Sequence, residues 1–175
     1  GARAANHYTR ETSMDLASTP NLQGAPYQSR AMDKSDIREL RHWHRNAALR
    51  AKEAGFDVVY VYATHGYLLS HFLSAEINTR TDEYGGSMEN RTRLLRELIE
   101  DTKDAVGDRC GVAVRYSVGG DDDENSSLTA ERRDRLEMLA ELPDLWDINI
   151  NDYYQEMGVS RFVNEASLEE HMAYV

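Results

Sequence analysis

The sequence predicts an α/β fold with a parallel sheet, because helical and strand-forming segments alternate along most of the chain. The predicted strands are short apolar runs, and a long segment with helical periodicity separates each strand from the next. A helix between two strands carries the chain back across the sheet, and such right-handed crossovers make consecutive strands parallel. We therefore expect three adjacent parallel strands with helices against one face.

The first part of the chain is predicted to contain a loop, a helix and a strand. Residues 1–30 follow no apolar period and are rich in Pro, Ser, Thr and Asn, so we expect a long loop there. Either Asp33 or Ser35 can cap the first helix, and Gly55 ends it. The first strand follows at 57–62.

The remaining elements are predicted from the same signals. Ser87 caps a second helix, which has leucines at helical spacing and ends at Gly107. The segments that follow are, in order, a strand at 112–116, a helix at 129–142, a strand at 146–150 and a helix capped by Ser167. These elements form one domain piece, with a loop at 1–32 and α-β-α-β-α-β-α units at 33–175.

Composition bounds the partners of the chain. A formal net charge of -11 argues against nucleic acid, because phosphates attract surfaces rich in Lys and Arg. Mean hydropathy is -0.67, and no apolar run approaches the roughly 20 residues of a membrane span, so we expect no membrane contact. Cys110 is the only cysteine, so no disulfide can form within the chain. No signal segment is visible at the start, and we expect a cytoplasmic protein.

Three side chains that can hold or move a proton follow the first predicted strand. Tyr62 ends that strand, and His65 and Tyr67 come within the next five residues. Parallel α/β folds bind ligands at the carboxyl ends of their strands, so we expect an active site here. The alternative is that Tyr62 packs in the core and His65 is an ordinary loop histidine.

Arg115 lies near the end of the second apolar strand. An unpaired guanidinium would be costly to bury at that position, so we expect an anion close to it. One candidate is the carboxylate of Asp147, on the next predicted strand.

The segment at 78–91 carries the most specific motif in the chain. It reads Asn-Thr-Arg-Thr-Asp-Glu-Tyr-Gly-Gly-Ser-Met-Glu-Asn-Arg, and the run His65-Gly66-Tyr67-Leu68 precedes it. Together these motifs resemble the flavin-binding barrel of the Old Yellow Enzyme superfamily. Tyr62 replaces the histidine that is usual there, and this exchange is similar to the branch of trimethylamine, dimethylamine and histamine dehydrogenases.

The resemblance implies a partial (β/α)8 TIM barrel, with the predicted strands at about positions 4 to 6. A complete barrel takes roughly 250 residues. This chain has 175 residues and begins without Met, so we expect an internal fragment of one FMN-binding domain. An isolated fragment lacks the other strands of the barrel and is expected to be inactive.

The resemblance also implies roles for the residues at the strand ends. Arg115 would lie against the N1/O2 edge of FMN and stabilise the reduced flavin. Tyr62 and His65 would be catalytic and hydrogen-bonded to each other and to an acid, with His65 also contacting the cofactor. Tyr67 matches the tyrosine that protonates the substrate in ene-reductases, and we expect it at the substrate.

The acidic partner and part of the substrate cage are expected after the last predicted strand. The residues at 158–162 look like the GxSRF pattern of the superfamily. Counting back from them places Glu156 at the acidic position, with Asp152 as the rival. Tyr153 falls where the resembled branch has a tryptophan of its substrate cage, so the resemblance leaves the substrate open.

These features predict a fragment of an FMN-dependent amine dehydrogenase whose substrate is a small secondary or tertiary amine, held as a cation by aromatic rings. The resemblance implies a four-iron four-sulfur cluster and a bound adenine nucleotide only in parts of the parent protein outside this chain. For that parent it also implies an electron-transfer flavoprotein as partner and a homodimer. The alternatives are an ene-reductase or NAD(P)H:flavin oxidoreductase, and an inactive piece of a barrel.

No metal site is predicted within the chain itself. His42 and His44 are two residues apart on a helix and point in different directions. The acidic run at 121–124 lacks the spaced pattern of a calcium loop and is expected to be a solvated loop.

Overall fold

The structure is a computed structural model, and it describes residues 12–18, 28–118 and 127–149. The elements in these ranges are, in chain order, β1 (Met14–Asp15), β2 (Arg30–Ala31), α1 (Lys34–Glu53), β3 (Val58–Ala63), α2 (Leu68–Leu73), α3 (Met88–Val106), a 3₁₀ turn (Gly107–Arg109), β4 (Gly111–Ser117), α4 (Ser127–Leu139) and β5 (Leu145–Asn149). None of the described helices has the length and apolar character needed to cross a membrane.

The three longer strands form one parallel sheet in the order β3-β4-β5. Tyr62 of β3 lies opposite Arg115 of β4, and Arg115 lies opposite Asp147 of β5. The predicted parallel fold is therefore confirmed, and each of the six strand ends differs from the predicted one by a single residue.

The two faces of the sheet differ in burial. Val61, Val112 and Val114 point towards the helices and are fully buried. On the other face, the side chains of β3 are exposed, with Tyr60 47% and Tyr62 38% accessible. This exposed face of the sheet is called the open face below. The alternation of buried and exposed residues follows the period of two along a strand.

A capping box begins α1. The Asp33 carboxylate accepts from the backbone N–H of Asp36, at 2.8 Å, and the Asp36 carboxylate accepts from the N–H of Asp33, at 2.9 Å. Arg30 of β2 also donates to Asp36, and this hydrogen bond is the largest factor that lowers the pKa of Asp36 to about 2. Asp33, one of the two predicted caps, is therefore the residue that starts this helix.

Two features differ from the sequence prediction. Part of the predicted first loop forms a short parallel pair, in which Met14 lies opposite Arg30. The helix α2 was not predicted, because five of its six residues are buried and no polar face marks a helical period. The helix predicted from Ser167 lies outside the described residues.

The segment 78–91 fastens the end of α2. The Asn78 amide donates to the carbonyl oxygens of Phe72, at 2.6 Å, and of Tyr84, at 2.8 Å. Arg91 Nε donates to the carbonyl oxygen of Leu73, at 3.3 Å. Carbonyl groups at a helix end have no partner within the helix, so these side chains supply the missing donors.

Arg135 of α4 completes the same attachment. It is 3% exposed and donates to the carbonyl oxygen of Leu73 and to the hydroxyl oxygen of Tyr116, both at 3.0 Å. Burial raises the pKa of Tyr116, so its phenol stays neutral and donates to the carbonyl oxygen of Arg132. Tyr116 therefore has a structural role on the helix side of the sheet, whereas its neighbour in sequence, Arg115, lies on the open face.

Gly85 offers a test of how tightly this segment is packed. An added Cβ would lie 2.6 Å from the carbonyl carbon of Arg80 and nearer still to its oxygen. We expect Gly85→Ala to lower the free energy of unfolding of the chain by about 1–3 kcal/mol, because the backbone must move. Urea denaturation measures this change.

Gly111→Ala is the matched control, because a Cβ there would meet only ordinary contacts, at 3.7 Å from the Asp57 carbonyl oxygen and 3.8 Å from Val58. We expect a change below about 0.5 kcal/mol for this variant. Equal losses of stability in the two variants would contradict the packing assigned to Gly85.

Candidate active site

Tyr62 and His65 are joined at the carboxyl end of β3. The Tyr62 hydroxyl and His65 Nδ1 form a short hydrogen bond. The phenol can donate to Nδ1, which leaves the ring proton on Nε2, or it can accept from Nδ1–H. The ring of Tyr67 meets that of Tyr62 edge to face, with centroids 5.6 Å apart. The structure thus brings the three predicted side chains together.

The turn that carries these groups has an uncommon backbone conformation. The Tyr67 N–H donates to the carbonyl oxygen of Thr64, at 3.3 Å, and closes a turn through His65 and Gly66. His65 has φ of 59° and Gly66 has φ of 66°. A left-handed conformation costs a residue with a side chain roughly 1–2 kcal/mol. Such strain persists where the surroundings hold the residue in place, and here the bond to Tyr62 helps to do so.

Arg115 and Asp147 extend the site across the sheet. Residues paired across neighbouring strands share a face, so Tyr62, Arg115 and Asp147 form one row on the open face. This row is called the polar row. Arg115 Nη1 lies 3.3 Å from Asp147 Oδ2, and the two side chains are 32% and 30% exposed. The ion pair considered as one partner of Arg115 is therefore present, and the contact with flavin stays a prediction.

A second polar pair joins α2, the helix that follows the site, to β1, and it was not predicted. His71 Nδ1 of α2 is 2.9 Å from both carboxylate oxygens of Asp15 in β1. Their side chains are 5% and 1% exposed. A carboxylate only accepts, so Nδ1–H of His71 donates to Asp15. The N–H of His71 also donates to the Tyr67 carbonyl oxygen, so this pair ties the start of α2 to β1.

The other predicted site residues lie outside the described residues. They are Asp152, Tyr153 and Glu156, and their places in the site stay predictions. Within 12–18, 28–118 and 127–149, no three His, Cys, Asp or Glu side chains are grouped so that they could hold a metal ion.

The chemistry of the polar row can be compared with the needs of a flavin. A reduced flavin carries negative charge at its N1/O2 edge, and a fixed guanidinium supplies both positive charge and donors for it. Arg115 is a third exposed, lies on the open face and stands two residues before the carboxyl end of its strand. The residues present therefore fit such a cofactor at this edge of the sheet.

Parallel strands with helices on one face and proton-carrying groups at their carboxyl ends define the class of (β/α)8 barrel enzymes, to which the described elements correspond. Comparison with known proteins gives the family. The sequence profile of the NADH:flavin oxidoreductase / NADH oxidase family matches residues 1–168, and the chain belongs to this family.

Three relatives differ in how much of the chain they match. The structure of 6-hydroxypseudooxynicotine amine oxidase from Pseudomonas geniculata N1 superposes with a TM-score of 0.87 and 46% sequence identity. The superposition covers 97% of this chain and 26% of the amine oxidase chain. Dimethylamine dehydrogenase from Hyphomicrobium sp. (strain x) is 35% identical over 85% of this chain and 20% of its own length. NADPH dehydrogenase from Bacillus subtilis (strain 168) is 54% identical over 41% of this chain and 21% of its own.

These figures have two consequences. The prediction of a partial barrel of this superfamily is confirmed, since the chain spans about a quarter or less of the length of these relatives. The two relatives named for amine substrates match 97% and 85% of the chain, whereas the similarity to the NADPH dehydrogenase of Bacillus subtilis extends over 72 residues.

The buried pair of His71 and Asp15 allows a test of its role in the fold. We expect His71→Ala to lower the free energy of unfolding by about 3–5 kcal/mol, because it leaves the Asp15 carboxylate buried without its imidazole partner. His71→Asn retains a donor near the place of Nδ1 and should lose less. Urea denaturation of the chain measures both changes.

His42→Ala is the control, because it makes the same substitution on the exposed side of α1. We expect a change below about 0.5 kcal/mol there. A His71→Ala variant as stable as the His42→Ala variant would show that the pair contributes little.

Proposed function

We propose that the protein of which this chain is a part is an FMN-dependent amine dehydrogenase, and that it oxidises a secondary or tertiary amine. The observation that carries this proposal is the hydrogen bond between Tyr62 and His65 at the carboxyl end of β3. It joins a phenol and an imidazole on the rim where barrel enzymes place their chemistry. The chain would be an internal part of a single FMN-binding domain.

The pattern of relatives supports amine chemistry over alkene chemistry. Relatives named for amine substrates match 97% and 85% of the chain, and so include the strands and the turn of the site. The 54% identity to the NADPH dehydrogenase of Bacillus subtilis covers 41% of the chain. We give more weight to the longer matches, because substrate selection depends on side chains from several strand ends.

Four side chains of the candidate active site have a role in this proposal. Bound FMN supplies the acceptor for the two electrons and the hydrogen that leave the amine carbon. Arg115 holds positive charge where the reduced cofactor is negative. Tyr62 and His65 hold a proton between them and set the ionisation of the site as the C–H bond breaks. Tyr67, whose ring contacts that of Tyr62, would contact the substrate.

The rest of the proposed machinery would come from other residues of the parent. Glu156, with Asp152 as rival, would accept a hydrogen bond from His65, and Tyr153 would hold the amine cation against its ring. A four-iron four-sulfur cluster, an adenine nucleotide and an electron-transfer flavoprotein would serve electron transfer in a homodimeric parent. The proposed location is the cytoplasm.

An NADPH dehydrogenase or ene-reductase is the second candidate, and a particular observation favours it. Tyr67, which matches the proton donor of ene-reductases, stands at the same rim as His65, and its ring contacts Tyr62. In that enzyme Tyr67 would deliver a proton to the substrate, and the Tyr62 hydroxyl would have no role in bond breaking. An inactive barrel piece is the remaining alternative for the isolated chain.

Substitution of Tyr62 separates the two enzymatic candidates. Tyr62→Phe in the full-length protein keeps the ring and removes the hydroxyl that bonds to His65. We expect flavin reduction by an amine to slow by about tenfold to a hundredfold, or about 1.4–2.7 kcal/mol of barrier, with an altered pH profile. Stopped-flow absorbance measures the rate of reduction.

Tyr67→Phe is the matched variant on the other side of the same contact. For amine oxidation we expect a small effect on the rate of flavin reduction. In an ene-reductase, by contrast, the reoxidation of the reduced flavin by an activated alkene would lose most of its rate. If Tyr67→Phe proves the damaging change and amines never reduce the flavin, the second candidate is correct.

Substitution of Arg115 tests the cofactor site. Arg115→Met in the full-length protein should leave the fold intact, because the side chain is a third exposed and packs on the open face. We expect lower FMN content and slower reduction, because a hydrogen bond to a charged group contributes roughly 1.5–3 kcal/mol. Flavin content of the purified protein and stopped-flow reduction measure the two effects. Unchanged values of both would give Arg115 a purely structural role.

A further inference from the structure

Asp147 is the acidic member of the polar row. Its carboxylate faces Arg115 across the β4–β5 ladder, with 3.3 Å between Nη1 and Oδ2. The two residues are already neighbours through the register of the sheet, in which Arg115 pairs with Asp147. Hydrogen bonds of the sheet already join β4 to β5 at these residues, so the ion pair is not needed to hold the two strands together.

Two other arginines that pair with an acid, on the helix side of the sheet, are placed differently. Arg91 and Arg135 both pair with Glu131, and their side chains are 8% and 4% exposed. They also donate to the Leu73 carbonyl oxygen, so they attach α2 to α3 and α4. These pairs hold helices together from the buried side. The pair of Arg115 and Asp147 stands on the open face, about a third exposed.

The placement of the pair points to electrostatics at the site. A carboxylate at this distance from a guanidinium offsets part of its positive charge, and it fixes the direction of the planar group. Partial exposure weakens the attraction between them, so the pair contributes modestly to stability. The electrostatic potential at a ligand beside Arg115 is nevertheless set by the charges of both groups.

We propose that Asp147 is a positioning residue that orients Arg115 and offsets part of its charge, and so keeps the reduction potential of the flavin lower than Arg115 alone would make it. This inference rests on the proposed function, in which Arg115 faces FMN. A negative charge beside the cation opposes the build-up of electrons on the cofactor. The balance between Arg115 and Asp147 thus sets how strongly the site draws electrons from its substrate.

The test uses the full-length holoenzyme and the variant Asp147→Asn. This substitution keeps the size of the side chain and an acceptor oxygen for Arg115, and it removes the charge. We expect the midpoint potential of the flavin to become more positive by about 30 mV. For a two-electron couple this shift is about a tenfold increase in the equilibrium constant for reduction. The potential is measured by dye-equilibrated titration with dithionite, with no amine present.

Two variants control for charge and for structure. Asp147→Glu keeps the charge, and we expect a potential close to that of the unmodified enzyme. Asp104→Asn removes the same charge from a surface ion pair, in which Asp104 is 75% exposed and bonds to Arg45 at 2.6 Å. We expect no change of potential there, because exposed charges at a distance are screened by salt.

A potential that stays unchanged in Asp147→Asn, with only the melting temperature lowered, would overturn the inference and make the pair structural. A shift to more negative values would overturn it as well. The proposed function has its own test, because reduction by amine is measured separately. A holoenzyme that NADPH reduces and amines do not would refute amine oxidation, while the potential of Asp147→Asn would still decide the role of Asp147.

Discussion

The register of the three parallel strands is the constraint on which the arrangement of the site depends. It sets Tyr62, Arg115 and Asp147 in one row, on the face away from the helices. Successive side chains on a strand point to opposite faces, so a slip of one residue would turn the whole row towards the helices. It would also bring Val61 and Val114, both fully buried, to the surface. Burial of apolar side chains on one face thus fixes the polar groups on the other.

On the helix side of the sheet, charged side chains hold helices together. Arg91 and Arg135 are buried, and their partners are the Leu73 carbonyl oxygen and the Glu131 carboxylate. Loss of a partner would leave a buried charge uncompensated, so this network resists rearrangement. The segment 78–91 therefore holds the end of α2, the helix that follows the turn after β3.

The open face combines partly exposed charges with a strained turn. His65 adopts a left-handed backbone and is held by its bond to Tyr62, while the buried pair of His71 and Asp15 anchors the following helix. Strain that is held from several sides is typical of functional sites. The same rigidity keeps the phenol and the imidazole in contact, which proton transfer between them requires. The attachment of α2 thus supports the turn that carries His65, while the strand register places the rest of the candidate active site.

The sequence by itself determined the order and type of the main elements, because apolar periodicity and helix caps are local signals. It also determined that Tyr62, His65 and Arg115 share one edge, because parallel strands bring their carboxyl ends together, and it offered Asp147 as a partner of Arg115. Only the tertiary structure decided that Asp15 pairs with His71 and that Arg135 reaches the Leu73 carbonyl oxygen. These partners are 56 and 62 residues apart, and no local pattern links them. They meet because folding buries polar groups that must then find partners wherever the packing places them.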